Sequence, residues 1–165
     1  MAQDITADEA LDTETEATRL QAVEQYLAYL RESTPYYAWL DPEILRVERG
    51  FVRARLSHDE RFQPPDVAPN TGLNGGVLAT LVDAAGMAAL ISEALEPIGL
   101  ATTNLNITFH DGVDEPHVIE GTVTDFGNTL ATAGVEVVPA SEVDAPDRTV
   151  VASGQTTARL FEKSG

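Results

Sequence analysis

The chain has 165 residues, with 27 acidic against 10 basic side chains and a net charge of -17; the size suits one domain and the charge repels nucleic acid. No cysteine is present, which excludes disulfides, thiolate metal sites and a cysteine nucleophile and agrees with a reducing, cytoplasmic setting. The N-terminus is acidic and lacks an apolar signal core, and the longest apolar stretch, Val77 to Ile91, is broken by Thr80, Asp83 and Gly86 and falls short of the ~20 residues that span a bilayer. No membrane partner is expected.

Lys163 is the only lysine, and acids are spread over residues 111 to 147 as well as the N-terminus. That distribution suits a concentrated salt solution. Near 1 M salt the Debye length is about 3 Å, so self-repulsion that would loosen the fold in dilute buffer is screened.

Residues 1 to 16 are acidic with few large apolar side chains, and they read as a disordered tail because they bury too little to offset ordering entropy. Residues 17 to 165 are expected to form a single domain. From Ala17 to Arg31, Leu20, Val23, Leu27 and Leu30 recur at three- and four-residue steps, which predicts an amphipathic helix. Ser33, Thr34 and Pro35 end it. The aromatic cluster Tyr36-Tyr37-Ala38-Trp39-Leu40 follows, suited either to capping a ligand pocket or to plain core packing.

Two short runs, ILRVE and FVRARLS, flank Arg49-Gly50 and predict a hairpin over residues 44 to 57. Its arginines, with Arg61, either meet phosphates or, as is commoner, stand in solvated ion pairs. Pro64, Pro65 and Pro69 make residues 61 to 72 an extended loop. Residues 75 to 95 then read as a helix with almost no polar face, which other structure must wrap. Four strands follow, at 101–109, 117–126, 129–138 and 148–161, with a two-residue turn at Gly127-Asn128 and an acidic connection from Pro139 to Asp147. The fold class is therefore α+β, a long antiparallel sheet curled around one apolar helix.

Chemistry concentrates in Pro69 to Leu90. The first turn of a helix carries N–H groups without intrahelical partners and a partial positive charge, and Gly75-Gly76 leaves those groups unblocked by side chains, so an oxyanion fits there. An unpaired carboxylate among Leu81, Val82, Ala84 and Ala85 costs several kcal/mol or takes up a proton. Asp83 is therefore either a functional acid or base, or a structural aspartate hydrogen-bonded to a neighbouring element. It lies eight residues beyond Gly75, about 12 Å along a helix, too far to serve its own helix start. A second subunit would be needed to close that distance. His58, His110 and His117 show no metal-ligand spacing and read as surface residues. No nucleophile elbow, phosphate loop or dinucleotide fingerprint is present.

Asn70, Gly72, Asn74-Gly75-Gly76 and Asp83, with nine residues from position 74 to position 83, followed by Asn106-Ile107-Thr108-Phe109, resemble the hot-dog-fold acyl-CoA thioesterases of the phenylacetic-acid-degradation type, within the 4-hydroxybenzoyl-CoA thioesterase superfamily. The resemblance covers Pro35 to Leu160. It implies a hot-dog fold, an acyl-CoA substrate, no metal and no cofactor beyond the coenzyme A of the substrate. It also implies a homodimer that completes the site, and further pairing to a homotetramer. In its terms Asp83 is the general base or the nucleophile, the Gly75 N–H of the partner holds the oxyanion, Asn70 orients water or carbonyl, and Thr102 positions the attacking water. The family's motif histidine is Asn74 here, which donates a hydrogen bond but carries no proton at neutral pH. A non-catalytic module that binds acyl-CoA is the alternative. A dehydratase ranks last, since it needs a histidine near the helix and none lies between His58 and His110.

Overall fold

A computed structural model describes residues 7–64, 72–94, 98–112 and 114–162; Asn70 lies outside these segments. Three helices, α1 (Ala7–Ser33), α2 (Pro35–Leu40) and α3 (Gly75–Glu93), accompany six strands, β1 (Glu43–Glu48), β2 (Phe51–Leu56), β3 (Ile98–Phe109), β4 (His117–Phe126), β5 (Leu130–Pro139) and β6 (Ala152–Glu162). The strands form one sheet in the order β1-β2-β4-β5-β6-β3, antiparallel at every described pairing. The sheet wraps α3 as expected, so β1 and β3 are its edges.

Helix α3 suits this place because alanine and leucine dominate it and its sheet side is built from small residues. A side chain at Gly121 of β4 would put its Cβ 2.5 Å from the Ala85 carbonyl oxygen; Cβ atoms at Gly86 and Gly154 would stand 2.7 Å from Thr156 and 2.8 Å from Val82. The helix therefore lies closer to the sheet than side chains on both surfaces would permit. Gly121→Ala is expected to lower unfolding stability by about 3 kcal/mol, because a carbonyl oxygen cannot rotate away as a flexible side chain can. Denaturant titration in high salt checks this, and a loss under about 1 kcal/mol would mean that the gap opens freely. Although α3 is long and apolar enough to cross a membrane, it is the buried core helix.

Helix α1 packs on the opposite side of α3 through Val23 and Leu27. Arg19, buried at 7% exposure, donates from its guanidinium to the Ser92 carbonyl in the last turn of α3. A cation there meets the negative end of the helix dipole and an otherwise open carbonyl. Pro35 opens α2 at its first turn, and Asp41 closes it in the left-handed region at φ 41°, with Arg31 2.8 Å from its carboxylate. Gly50, at φ +68°, makes the β1–β2 turn, and Arg49 ties that turn to Glu93 of α3 at 2.8 Å.

Four expectations are corrected. Helix α1 begins at Ala7 rather than Ala17, so it runs through most of the segment read as a tail. Ala7 to Glu16 holds two alanines, one leucine and three glutamates, all good helix formers, and Asp8 and Glu9 stand at the favourable end of the dipole, so local propensity extends the helix. Leu20, read as part of the apolar stripe, is 38% exposed, while Tyr26 packs inward. The β4–β5 turn has three residues, Gly127 to Thr129, closed by a 3.0 Å bond from the Gly127 N–H to the Leu130 carbonyl. Strand β6 starts at Ala152, not at Arg148, because Arg148 is drawn into ion pairs with Glu120 at 2.5 Å and Glu136 at 2.6 Å. Arg53 meets the other oxygen of Glu120 at 2.6 Å. That network holds the acidic connection between β5 and β6 against the sheet.

Candidate active site

Asp83 sits midway along α3, half-buried, and accepts a 2.9 Å hydrogen bond from the Thr102 hydroxyl on β3. No other hydrogen bond reaches its side chain among the described residues. Burial pushes its carboxyl above the usual carboxylate range, and the Thr102 hydrogen bond opposes that rise by stabilising the charged form. Two residues nominated from sequence therefore meet within one chain. The meeting has a local cause: Thr102 pairs with Ala158, which faces the helix, and a register shift follows immediately before Asn104. Residues 101 to 106 of β3 are all exposed, so the carboxylate opens towards the free edge of the sheet.

At the start of α3, Asn74 is the N-cap: its Oδ1 accepts from the Gly76 N–H at 2.8 Å, and its own N–H donates to the Phe62 carbonyl at 2.7 Å. The Asn74 carboxamide thus occupies the Gly76 N–H, and of the two glycine donors only the Gly75 N–H is left to receive an oxyanion. Gly75 is glycine for a second reason. The Phe109 ring of β3 covers it, and a Cβ there would lie 3.2 Å from the ring. Gly75 starts the helix and Asp83 lies at its middle, about 12 Å away along the axis. One chain brings Asp83 to Thr102 but not to Gly75.

Leu40 of the aromatic segment takes the core-packing use foreseen for it. Trp39 joins the core cluster, its ring edge-on to Phe62 at a centroid distance of 4.7 Å. Tyr36 is 37% exposed. Tyr37 is partly buried, and burial, then the charge of Asp83, holds its phenol protonated above the ordinary range. Tyr26 of α1, which sequence reasoning passed over, feels burial, Tyr37 and Asp83 in that order, all in the same direction. Its signal was present, for Val23, Tyr26, Leu27 and Leu30 follow the i, i+3, i+4, i+7 rhythm of one helix face.

Most of the hairpin arginines are engaged elsewhere. Arg46, Arg49 and Arg61 stand in ion pairs with Glu48, Glu93 and Asp59, as the solvated-pair reading anticipated, whereas Arg53 meets the buried Glu120. His110 hydrogen-bonds Ser153 at 2.7 Å, and His58 lies 3.4 Å from Asp114. His117 corrects the surface reading, being only 2% exposed. It opens β4 between Leu56 and Pro139, and burial pushes its pKa down against the opposing pull of Glu115.

Comparison with known proteins gives this geometry a context. The family model for the thioesterase superfamily matches residues 71–145, a span that includes the helix start, Asp83 and Thr102. A protein of Halobacterium salinarum, named only provisionally as an esterase, is 32% identical over 116 residues, covering 68% of this chain and 75% of its own. Among solved structures, a thioesterase family protein from Silicibacter pomeroyi superposes with a TM-score of 0.72 at 19% identity, over 87% of this chain and 98% of that one. A Streptococcus mutans protein crystallised with acetyl-CoA gives 0.60 at 17% identity, over 75% and 91%. At such identities these two structures speak for the fold alone.

Proposed function

Because the chain belongs to the thioesterase superfamily, we propose that it hydrolyses an acyl-CoA thioester to the free acid and coenzyme A, with Asp83 as the group that drives attack on the carbonyl. The observation that carries this reading is the half-buried Asp83 carboxylate, held among the described residues by the Thr102 hydroxyl and facing the exposed residues of edge strand β3. Asp83 either removes a proton from the attacking water or attacks the carbonyl itself; the carbonyl oxygen becomes an oxyanion and the thiolate leaves. The Gly75 N–H is the oxyanion donor, supported by the helix dipole. Since 12 Å or so of helix separates the two within one chain, the donor comes from a second copy. The site then requires a homodimer, and the exposed length of β3 is the edge through which the copies pair. The Asn74 NH2 and Asn70 add donors around the thioester oxygen. The nine-residue interval from Asn74 to Asp83 supports the phenylacetic-acid-degradation branch, and the acidic surface supports work at high salt in a cytoplasm. Further pairing to a tetramer belongs to the same reading.

Purified protein assayed in 2 to 3 M salt against a panel of acyl-CoAs tests the proposal, with turnover expected for at least one member. Tight binding without turnover would select the second reading, a module that holds acyl-CoA, which Asn74 in the family's histidine position favours. Rate should fall on the acid side as pH drops through the raised Asp83 pKa, above the ~4 of an ordinary aspartate. Thr102→Val removes the bond that steadies the charged carboxylate. It is expected to move that acid limb to higher pH and lower kcat roughly 10-fold, the scale of a hydrogen bond to a charged group. An unmoved limb in the pH–rate profile would separate Thr102 from Asp83.

A further inference from the structure

The outer face of the sheet, turned away from α3, has no task in the reaction as described. Ala133 and Val135 of β5 and Ala152 and Ala158 of β6 pack towards the helix, and side chains alternate along a strand. The intervening positions, from Leu130 to Glu136 on β5 and from Ser153 to Phe161 on β6, therefore point outward. This half of the face is almost bare of charge. Strand β3 has no charged residue from Ile98 to Phe109, and β6 has only Arg159 between Ala152 and Phe161, in a chain with 27 acids. Leu130 and Phe161 stand on it 48% and 45% exposed. The Arg159 guanidinium lies 5.4 Å from the centre of the Phe161 ring, and it has no carboxylate partner among the described residues.

Farther along the same face, a cavity of about 420 Å³ is lined by Glu120, Thr122, Gly134, Glu136, Arg148 and Ser153. Glu136 gives one oxygen to Arg148 at 2.6 Å, and its other oxygen has no partner among the described residues. A free guanidinium and a free acceptor thus share one face without meeting. Arg159 is level with Leu130 and Glu136 is level with Ser153, about 20 Å apart along the ladder at ~3.3 Å per residue. We propose that this face seats the same face of a second copy across a two-fold axis, so that Arg159 of each copy enters the cavity of the other and meets Glu136. A two-fold contact brings two such groups together when its axis passes midway between them. The midpoint falls at the level where Ala133 pairs with Thr156, beside Gly134 and Gln155, and Gly134 has no side chain to hold the copies apart. Charge selects a copy of this chain as the occupant. At a net charge of -17, joining two acid-covered surfaces would press dehydrated carboxylates together, and a basic partner would seek acids that this half of the face lacks. A self-complementary face with one cation and one acceptor has neither defect. Asp83 stays open, because Thr102 meets it on the helix side of the sheet.

The inference goes beyond the thioesterase reading, and its readout is assembly rather than turnover. Particle mass in high salt would be measured by light scattering behind a sizing column for the full chain and for Arg159→Glu and Gln155→Glu. The first variant sets like charges against each other in both cavities, and the second places two carboxylates close to the axis. Each is expected to halve the wild-type mass, whatever pairing the β3 edge adds. Tyr29→Glu, at a position 65% exposed on α1, adds an acid away from this face and is expected to leave the mass unchanged. Matching thermal midpoints identify the variants that are folded. Because the chain has no cysteine, Gln155→Cys supplies a single thiol, and a short bis-maleimide is expected to join it to the same position of a second copy. Tyr29→Cys should give no such product. A mass that folded Arg159→Glu leaves unchanged, or no cross-link through position 155, overturns the proposal and spares the thioesterase reading. A wild-type mass equal to one chain overturns it as well.

Discussion

Asp83→Asn is expected to lower kcat by about 10^3-fold or more while leaving the protein folded. The carboxamide has the shape of the carboxylate and can still accept the Thr102 hydrogen bond through its oxygen, so the packing around α3 is kept. What is lost is the negative charge, and with it both the basicity needed to activate water and the nucleophilicity needed to attack directly. Asparagine also removes the desolvation penalty that raises the Asp83 pKa, so the thermal midpoint in high salt should hold or rise. A variant less active but equally or more stable is the signature of a functional carboxylate; a structural one would lose stability when changed. Saturation kinetics and a melting curve on the same preparation decide the matter. Activity within tenfold of wild type would remove Asp83 from the reaction.

Transfer from 3 M to 0.1 M NaCl is expected to cost several kcal/mol of stability, a fall of roughly 15 °C or more in the thermal midpoint. Carboxylates outnumber basic side chains by 17, so most acids have no cation to meet and repel one another once the Debye length grows to about 10 Å. An opposing effect exists, because salt also screens the attractive pairs. Arg31–Asp41, Arg46–Glu48, Arg49–Glu93 and Arg61–Asp59 all lie at the surface, where such pairs are worth about 0 to 1 kcal/mol each. The many unpaired acids therefore decide the sign. Circular dichroism melts across a salt series read the slope, and a midpoint that rises as salt is removed would refute the high-salt reading of the composition.

Much of this fold is legible in the chain because its elements are defined by local pattern. The period-four rhythm around Val23 and Leu27, the unbroken apolar face of α3, and the strands after Pro97 each declare their type within a dozen residues. Asp83 is legible for a different reason, as a charge where burial makes charge costly, and Thr102 entered by resemblance before the structure set it 2.9 Å away. What escaped depends on distant partners. His117 looks like a polar residue at a strand end, and only the pairing with β2 and β5 buries it. Arg148 has the flanking sequence of a strand residue, yet two glutamates from other strands take it out of β6. Tyr26 was missed because a phenol on a helix face is ambiguous until the neighbouring helix is in place. The role of Asn74 was half-visible, since its residue type suits a cap, but its bond to Gly76 separates the two glycines only in three dimensions.

The network that holds the β5–β6 connection has a bearing on how the molecule keeps its shape as its surroundings change. Glu120 is 7% exposed and meets guanidinium groups on both of its oxygens, beyond the easy reach of mobile ions. The chain thus carries two kinds of charge. An outer population answers to the ionic medium and makes the whole fold conditional on it. An inner cluster centred on the buried Glu120 is less exposed to the medium and fastens a loop to the sheet with less dependence on salt. Of the chain's 10 basic residues, two arginines are committed to that interior carboxylate, an allocation that makes this piece of local architecture less sensitive to the ionic medium than the fold as a whole.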